Sequence, residues 1–160
     1  MKKLLFLLLL PVMMWSCGND DEPEVDTVPE GIKKVWQSLD GTYSTTFELM
    51  NTGKDWYSET IIFHPYSERK IIVPPYTYIS GDVYAYGTAE IYDTRYSSIN
   101  DDEPELCYYS INANYSGGLE IAFFELNPES GYVIGREDSR TIRVLSAFEI
   151  ELNGQVYTKQ

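Results

Sequence analysis

Tyrosine is the residue type in this 160-residue chain whose number and spacing could support binding chemistry. The sequence has 14 tyrosines, nine of them between residues 76 and 115. In the segment GDVYAYGTAEIYD (81–93), strand alternation puts Tyr84, Tyr86 and Tyr92 on one face. The opposite face carries the small apolar residues Val83, Ala85, Gly87, Ala89 and Ile91. Aromatic rings with hydroxyls suit sugars and amphipathic ligands, so the three tyrosines are predicted ligand contacts. The alternative is that they only stabilise cross-strand pairs, since tyrosine is a favoured strand residue.

Residues for catalysis or metal binding are sparse. The one histidine, His64, precedes Pro65 at a strand end, and no Gly-x-Ser-x-Gly segment exists to position a nucleophile. A zinc site needs several histidine or cysteine ligands. The acidic run at 101–105 (Asp101, Asp102, Glu103 and Glu105) lacks the glycine that makes the sharp turn of a calcium loop. The sequence therefore predicts no catalytic residues, no metal and no cofactor, and the protein is not expected to be an enzyme.

The charge balance is strongly acidic, with 25 acidic against 12 basic residues and a net charge of −13. Nucleic-acid binding needs a basic face, and attraction to anionic membranes needs a basic cluster. The composition provides neither, so nucleic acid is excluded as a partner, and so is electrostatic attraction of the chain to an anionic membrane surface.

The N-terminus, MKKLLFLLLLPVMMWSC, has the layout of a secretory signal. Lys2 and Lys3 form a basic start, a short apolar run follows, and the small residue Ser16 ends it. The apolar run is shorter than the ~20 residues that span a bilayer. Residues 1–16 are therefore predicted to be a signal peptide.

The residues Met14, Trp15, Ser16 and Cys17 resemble the lipobox of bacterial lipoproteins, with bulky Trp15 as a departure. The resemblance implies that Cys17 is acylated, with palmitate-type chains, and anchors the mature protein to the outer membrane. The acidic segment directly after Cys17 resembles the export signal of Bacteroidetes surface lipoproteins, which implies a cell-surface location. Residues 17–28 are predicted to be a flexible tether, since they are polar and contain proline. Cys107 would then have no disulfide partner, and strand alternation predicts it as a small core residue.

The remaining residues, 29–160, are predicted to form one domain that begins with a short helix. Ile32, Val35, Trp36 and Leu39 recur at helical spacing, and period-two segments follow, separated by turn residues. These segments are GTYSTTFEL, WYSETIIFH, ERKIIVPP, GDVYAYGTAEIYD, LCYYSINANY, LEIAFFEL and GYVIG. Such a cadence is typical of an all-β fold. The favoured architecture is an antiparallel up-and-down barrel of about eight strands, and the alternative is a β-sandwich.

The C-terminal segment favours the barrel. Its apolar residues fall on even positions from Ile142 to Leu152, which predicts one long strand from Arg140 to Leu152. Asn153-Gly154 is a strong hairpin signal, and counting across it pairs Ile150 with Tyr157.

One helix followed by about eight strands resembles the lipocalins. The segment LDGTY (39–43) is similar to their Gly-x-Trp opening, with Gly41 matching and Tyr43 in place of the tryptophan. The resemblance implies that Tyr43 closes the barrel base, with Arg143 as the candidate partner.

The favoured function is a lipid-anchored, non-catalytic binding module for a small amphipathic ligand or a glycan. The alternative is a structural or accessory subunit of a cell-surface protein complex, whose protein partner the sequence does not name.

Overall fold

A computed structural model describes residues 28–49, 52–72, 83–94 and 103–160. The predicted signal peptide, the acylated Cys17 and most of the predicted tether lie outside the described residues, as do Asp101 and Asp102.

The described chain is one helix followed by a closed barrel of eight strands, each antiparallel to its sequence neighbours. The elements are α1 (Glu30–Ser38), β1 (Gly41–Leu49), β2 (Lys54–Ile72), β3 (Val83–Asp93), β4 (Glu105–Ala113), β5 (Leu119–Leu126), β6 (Val133–Val144), β7 (Glu149–Leu152) and β8 (Gln155–Lys159). The predicted all-β, up-and-down barrel with one short helix is confirmed. The alternative β-sandwich is wrong, because β8 pairs back onto β1 and closes a single sheet.

Helix α1 packs against the end of the barrel at which β1 begins. Ile32, Val35 and Leu39 are buried in the same core cluster as the inward-facing strand residues. The Trp36 indole Nε1 donates to the Tyr86 carbonyl at 2.8 Å, and the two rings meet edge to face. This end is therefore filled, and we call it the closed end. Within the described part of the chain, no helix is long and apolar enough to cross a bilayer.

Tyr43 lies buried at the closed end, as the sequence indicated. Its hydroxyl donates to the Ser38 carbonyl at 3.0 Å, tying β1 to the helix. The expectation that Arg143 is its partner is wrong. Arg143 points outward and pairs with Glu151 at 3.4 Å. The cation over the Tyr43 ring is Lys159, whose Nζ lies 5.6 Å from the ring centroid.

The predicted single strand from Arg140 to Leu152 is also wrong. The chain reverses after Val144, where the backbone amides of Leu145 and Ser146 donate to the Glu149 carbonyl, and Phe148 is exposed. The residues before and after the turn pair as β6 and β7. The predicted hairpin that follows is confirmed: Asn153 and Gly154 have φ angles of 49° and 82°, and Ile150 pairs with Tyr157.

The predicted strand WYSETIIFH and the described part of the predicted strand ERKIIVPP, which ends at Ile72, belong to one long strand, β2. Its register against β3 shifts between Pro65 and Lys70. Beside the shift, Gly87 of β3 pairs with Tyr109 of β4. A Cβ on Gly87 would lie 2.3 Å from the His64 carbonyl oxygen and 2.6 Å from the Tyr109 ring. Only glycine allows β2 and the Tyr109 ring to approach β3 so closely.

Two glycine substitutions test this close packing. Gly87→Ala is expected to lower the free energy of unfolding by at least about 2 kcal/mol, because one contact is with backbone and cannot relax cheaply. Gly31→Ala, on the exposed face of α1 with open space around it, should instead add about 0.5–1 kcal/mol. Urea unfolding of both variants measures the difference. A Gly87→Ala protein as stable as the wild type would contradict the packing described here.

Candidate functional site

The three tyrosines predicted as ligand contacts do not form one surface. Tyr86 is only 2% exposed and belongs to the core beside Trp36. Tyr84 is half-buried with the Arg69 guanidinium 3.6 Å above its ring, and Arg69 also reaches the Tyr86 hydroxyl at 3.5 Å. Tyr92 lies eight residues along β3, about 26 Å away at the usual rise of about 3.3 Å per residue. Its hydroxyl donates to Glu90 at 3.0 Å on the outer face.

The register shift in β2 explains why Tyr86 does not share a face with Tyr92. Residues 66–69 have no partner in β3 and lie opposite Tyr86. Strict alternation would put Tyr86 outside with Tyr92, but Ala85 and Tyr86 are both buried. The premise of one regular strand, on which the predicted tyrosine face rested, fails at this position.

The described residues instead form a polar cavity at the opposite end of the barrel, which we call the open end. Its volume is about 260 Å³. The lining comes from five strands and the β7–β8 turn, and comprises Phe47, Tyr57, Glu59, Asp138, Arg140, Leu152, Asn153, Gln155 and Tyr157. The strands thus enclose an apolar core at the closed end and a hydrogen-bonding cavity at the open end.

A buried ion pair lies at the base of this cavity. Glu59 of β2 is 3% exposed, and both of its carboxylate oxygens accept hydrogen bonds from the two terminal nitrogens of Arg140 on β6. The Tyr157 hydroxyl of β8 donates to Glu59 Oε1 at 2.8 Å and accepts from Arg140 Nη1 at 3.4 Å. Three strands far apart in sequence therefore meet at one carboxylate.

Asp138 completes the coordination of the guanidinium. Its Oδ2 accepts from Arg140 Nε at 2.9 Å and from Nη2 at 2.7 Å. A guanidinium has five N–H donors. The Nε donor binds Asp138, the two Nη1 donors bind Glu59 and Tyr157, and the two Nη2 donors bind Glu59 and Asp138. Arg140 therefore has no donor left.

Two members of the network, Arg140 and Tyr157, have raised pKa values. Burial works against the Arg140 charge, but hydrogen bonds and charge from Glu59 and Asp138 outweigh it and raise the pKa of the guanidinium. Burial, with the charge of Glu59, raises the pKa of the Tyr157 hydroxyl. Tyr157 therefore stays a neutral hydrogen-bond donor at physiological pH, and Arg140 stays charged.

An aromatic pair forms one wall of the cavity. Phe47 of β1 pairs across strands with Tyr57 of β2, and their rings stack with centroids 4.3 Å apart at 13°. On the neighbouring wall, Gln155 Nε2 donates to Thr45 Oγ1 at 2.7 Å. The cavity therefore offers a flat apolar surface beside polar groups, the combination typical of small-ligand sites.

Two further carboxylates face inward around the open end. Glu105 and Cys107 share the inward face of β4, and the Cys107 thiol donates to Glu105 at 3.6 Å. Glu125 of β5 shares its face with buried Phe123 and lies opposite Cys107. Burial raises the pKa of Glu105, and the negative charges of Glu125 and Asp138 raise it further. The hydrogen bond from Cys107 acts in the opposite direction and lowers this pKa. These carboxylates therefore interact electrostatically with the cavity.

The other predicted residues take structural positions. Cys107 is fully buried, as expected of a core residue, and burial raises the pKa of its thiol, which disfavours the reactive thiolate. His64 is exposed and hydrogen-bonds Glu90 at 3.0 Å on the outside. Across the described residues, no three or more His, Cys, Asp and Glu side chains are placed to hold a metal ion.

Comparison of the chain with protein-family models, with curated proteins and with solved structures gave no match. The function is therefore argued from the geometry of the open end.

Replacing Arg140 tests the buried ion pair. Arg140→Met should lower the free energy of unfolding by about 3–5 kcal/mol, because it leaves Glu59 charged and unpaired in the interior. Arg143→Met, three residues along the same strand, loses only an exposed ion pair and should cost no more than about 1 kcal/mol. Urea unfolding compares the two variants. The double variant Glu59→Leu/Arg140→Met should recover much of the stability lost in Arg140→Met, because it removes both charges. Equal losses of stability in Arg140→Met and Arg143→Met would contradict a buried charge.

The raised pKa of Glu105 predicts a pH effect on stability. The folded protein binds this proton more tightly than the unfolded chain, so the contribution of Glu105 to stability falls as pH rises through the raised pKa. Glu105→Gln should therefore raise the melting temperature slightly at pH 7. The difference should vanish near pH 3, below the ordinary glutamate pKa of about 4.3, where both side chains are neutral. A lower melting temperature of the variant at pH 7 would contradict the prediction.

Proposed function

We propose that this protein is a lipid-anchored, non-catalytic binding module that holds a small ligand in the open end of its barrel. The cavity of about 260 Å³ bounded by the Phe47–Tyr57 stack and the Glu59–Arg140–Tyr157 network carries this proposal. The volume is slightly below the usual 300–1,000 Å³ range of ligand pockets. It suits a ligand of about one ring.

The lining favours the glycan and small-amphipath classes. A stacked aromatic pair supplies an apolar surface against which a sugar or carbon ring packs, and the carboxylates beside it accept hydrogen bonds from hydroxyl or amino groups. The same classes were expected from the tyrosines of β3. The proposed contacts move from Tyr84, Tyr86 and Tyr92 to Tyr57 and its neighbours.

A binding role accounts for the network better than catalysis does. General acid–base chemistry needs a group that exchanges its proton near the operating pH. Arg140 stays charged and Tyr157 stays neutral, because both pKa values are raised. Every hydrogen-bond donor of the network points at another member of it. The arrangement positions a ligand and leaves no donor directed at a reacting bond.

The resemblance of residues 14–17 to a lipobox supports the anchored location in this proposal. Acylation at Cys17 would attach the chain to the outer membrane, and residues 17–28 would separate the barrel from the bilayer. Two or more acyl chains make such attachment stable, since each buried methylene contributes about 0.8 kcal/mol. A surface-exposed barrel would meet small ligands from outside the cell, consistent with an open cavity.

Alanine substitution in the aromatic wall tests where the ligand binds. The purified full-length protein is titrated calorimetrically with monosaccharides and small amphipaths, and any binder is repeated on the variants. Tyr57→Ala should weaken binding at least about tenfold, since it removes half of the stacked surface. Tyr132→Ala, an exposed tyrosine on the β5–β6 turn, is the control and should change nothing.

Tyr92→Ala distinguishes the two candidate locations. Loss of binding in Tyr92→Ala with full binding in Tyr57→Ala would return the site to the outer face of β3. No binding across the ligand panel by the wild type would reject the binding module in favour of an accessory subunit of a surface complex.

A further inference from the structure

We propose, resting on the function proposed above, that the ligand of the open end carries a positive charge, as a primary ammonium group attached to a ring. The hydrogen-bond valence, the charge balance and the aromatic wall of the cavity each lead to this class of ligand.

The hydrogen-bond valence of the network favours a ligand group that donates hydrogen bonds. All five donors of Arg140 and the hydroxyl proton of Tyr157 are used within the network. What the network itself leaves toward the cavity are acceptors: among the described residues, Asp138 Oδ1 receives no hydrogen bond, and Glu59 Oε2 receives the 3.3 Å bond from Arg140. A ligand group that contacts the network must therefore bring donors, and an ammonium group brings three. Acceptors of the same ligand can instead meet the side-chain amides of Asn153 and Gln155, which also line the cavity.

The charge balance excludes anions. Four carboxylates lie at the open end: Glu59 and Asp138 line the cavity, and Glu105 and Glu125 line a neighbouring depression from which Glu105 interacts electrostatically with Asp138 and Arg140. Among the inward-facing side chains that the structure describes there, Arg140 is the one cation, and it is already bound by two of the four. An incoming carboxylate or phosphate would meet net negative charge in a partly desolvated site, whereas an ammonium group would be stabilised.

The aromatic wall adds attraction for the same ligand. An ammonium group near the face of Tyr57 or Phe47 interacts favourably with the negative centre of the ring. The stack borders the same cavity as Glu59 and Asp138, so one ligand can place its ring on the aromatics and its charge toward the carboxylates.

Matched ligand sets test the charge independently of the ring. One set is glucose, glucosamine and glucuronate; the other is benzyl alcohol, benzylamine and benzoate. Each set keeps the ring type and varies the charge. Affinities for the purified full-length protein are measured by ligand-observed NMR at pH 6.5 and low salt. The amine in the set that binds should bind about tenfold more tightly than the neutral member, and the anion should not bind.

The outcomes separate the two proposals. Equal affinity for neutral and cationic members, or tighter binding of the anion, overturns the charge inference and leaves the binding module standing. No binding by any member of either set overturns the binding module itself. The set that binds also decides between glycan and small amphipath.

Charge removal at the rim provides a second test on the protein side. Glu125→Gln keeps the size of the side chain and should weaken binding of the amine about threefold to fivefold, with no change for the neutral member. Glu129→Gln removes an exposed carboxylate on the adjacent β5–β6 turn and should change neither affinity. An equal loss for amine and neutral ligands in Glu125→Gln would show a steric effect and overturn the inference.

Discussion

The architecture of the open end depends on one buried charge. Glu59 is almost fully enclosed, and an isolated carboxylate in such a place costs several kcal/mol. Arg140 and Tyr157 compensate that cost only if β2, β6 and β8 hold one relative position. A hydrophobic filling would tolerate small slips between these strands, but a carboxylate that needs three hydrogen bonds does not. The ion pair therefore specifies how the barrel closes around its cavity.

The same interaction explains why the two ends of the barrel differ. At the closed end, helix α1 supplies Ile32 and Val35, the residue after it supplies Leu39, and the interior fills with apolar side chains. At the open end, polar side chains line a cavity, and no described helix covers it. Because the network uses its own donors, it leaves carboxylate oxygens facing the cavity. The interaction that orders the barrel thus also sets the charge and the hydrogen-bonding character of this part of the cavity.

Much of the fold was readable because barrel strands have a strong period of two. The errors came where that period is ambiguous. The turn at residues 145–148 has an even number of residues, so Ile142 and Ile150 keep the same parity whether the chain continues or reverses. The shift at Pro65 has the opposite effect, since it joins two segments that looked separate and turns Tyr86 inward. Parity predicts faces within a strand but not across an irregularity.

The candidate site was harder to find because its residues share no local motif. Arg140 lies 81 residues after Glu59 in the sequence, and Tyr157 lies 98 residues after it. Each of the three belongs to a different strand. A signal was nevertheless present. Glu59 falls between Tyr57 and Ile61 on an inward face, and Arg140 shares even parity with Ile142. The interior of a small barrel is filled by its inward-facing side chains, so two opposite charges at inward positions either pair with each other or remain buried without a partner. Charged residues at core positions of the strand pattern therefore point to the open end, whereas the clustered tyrosines do not.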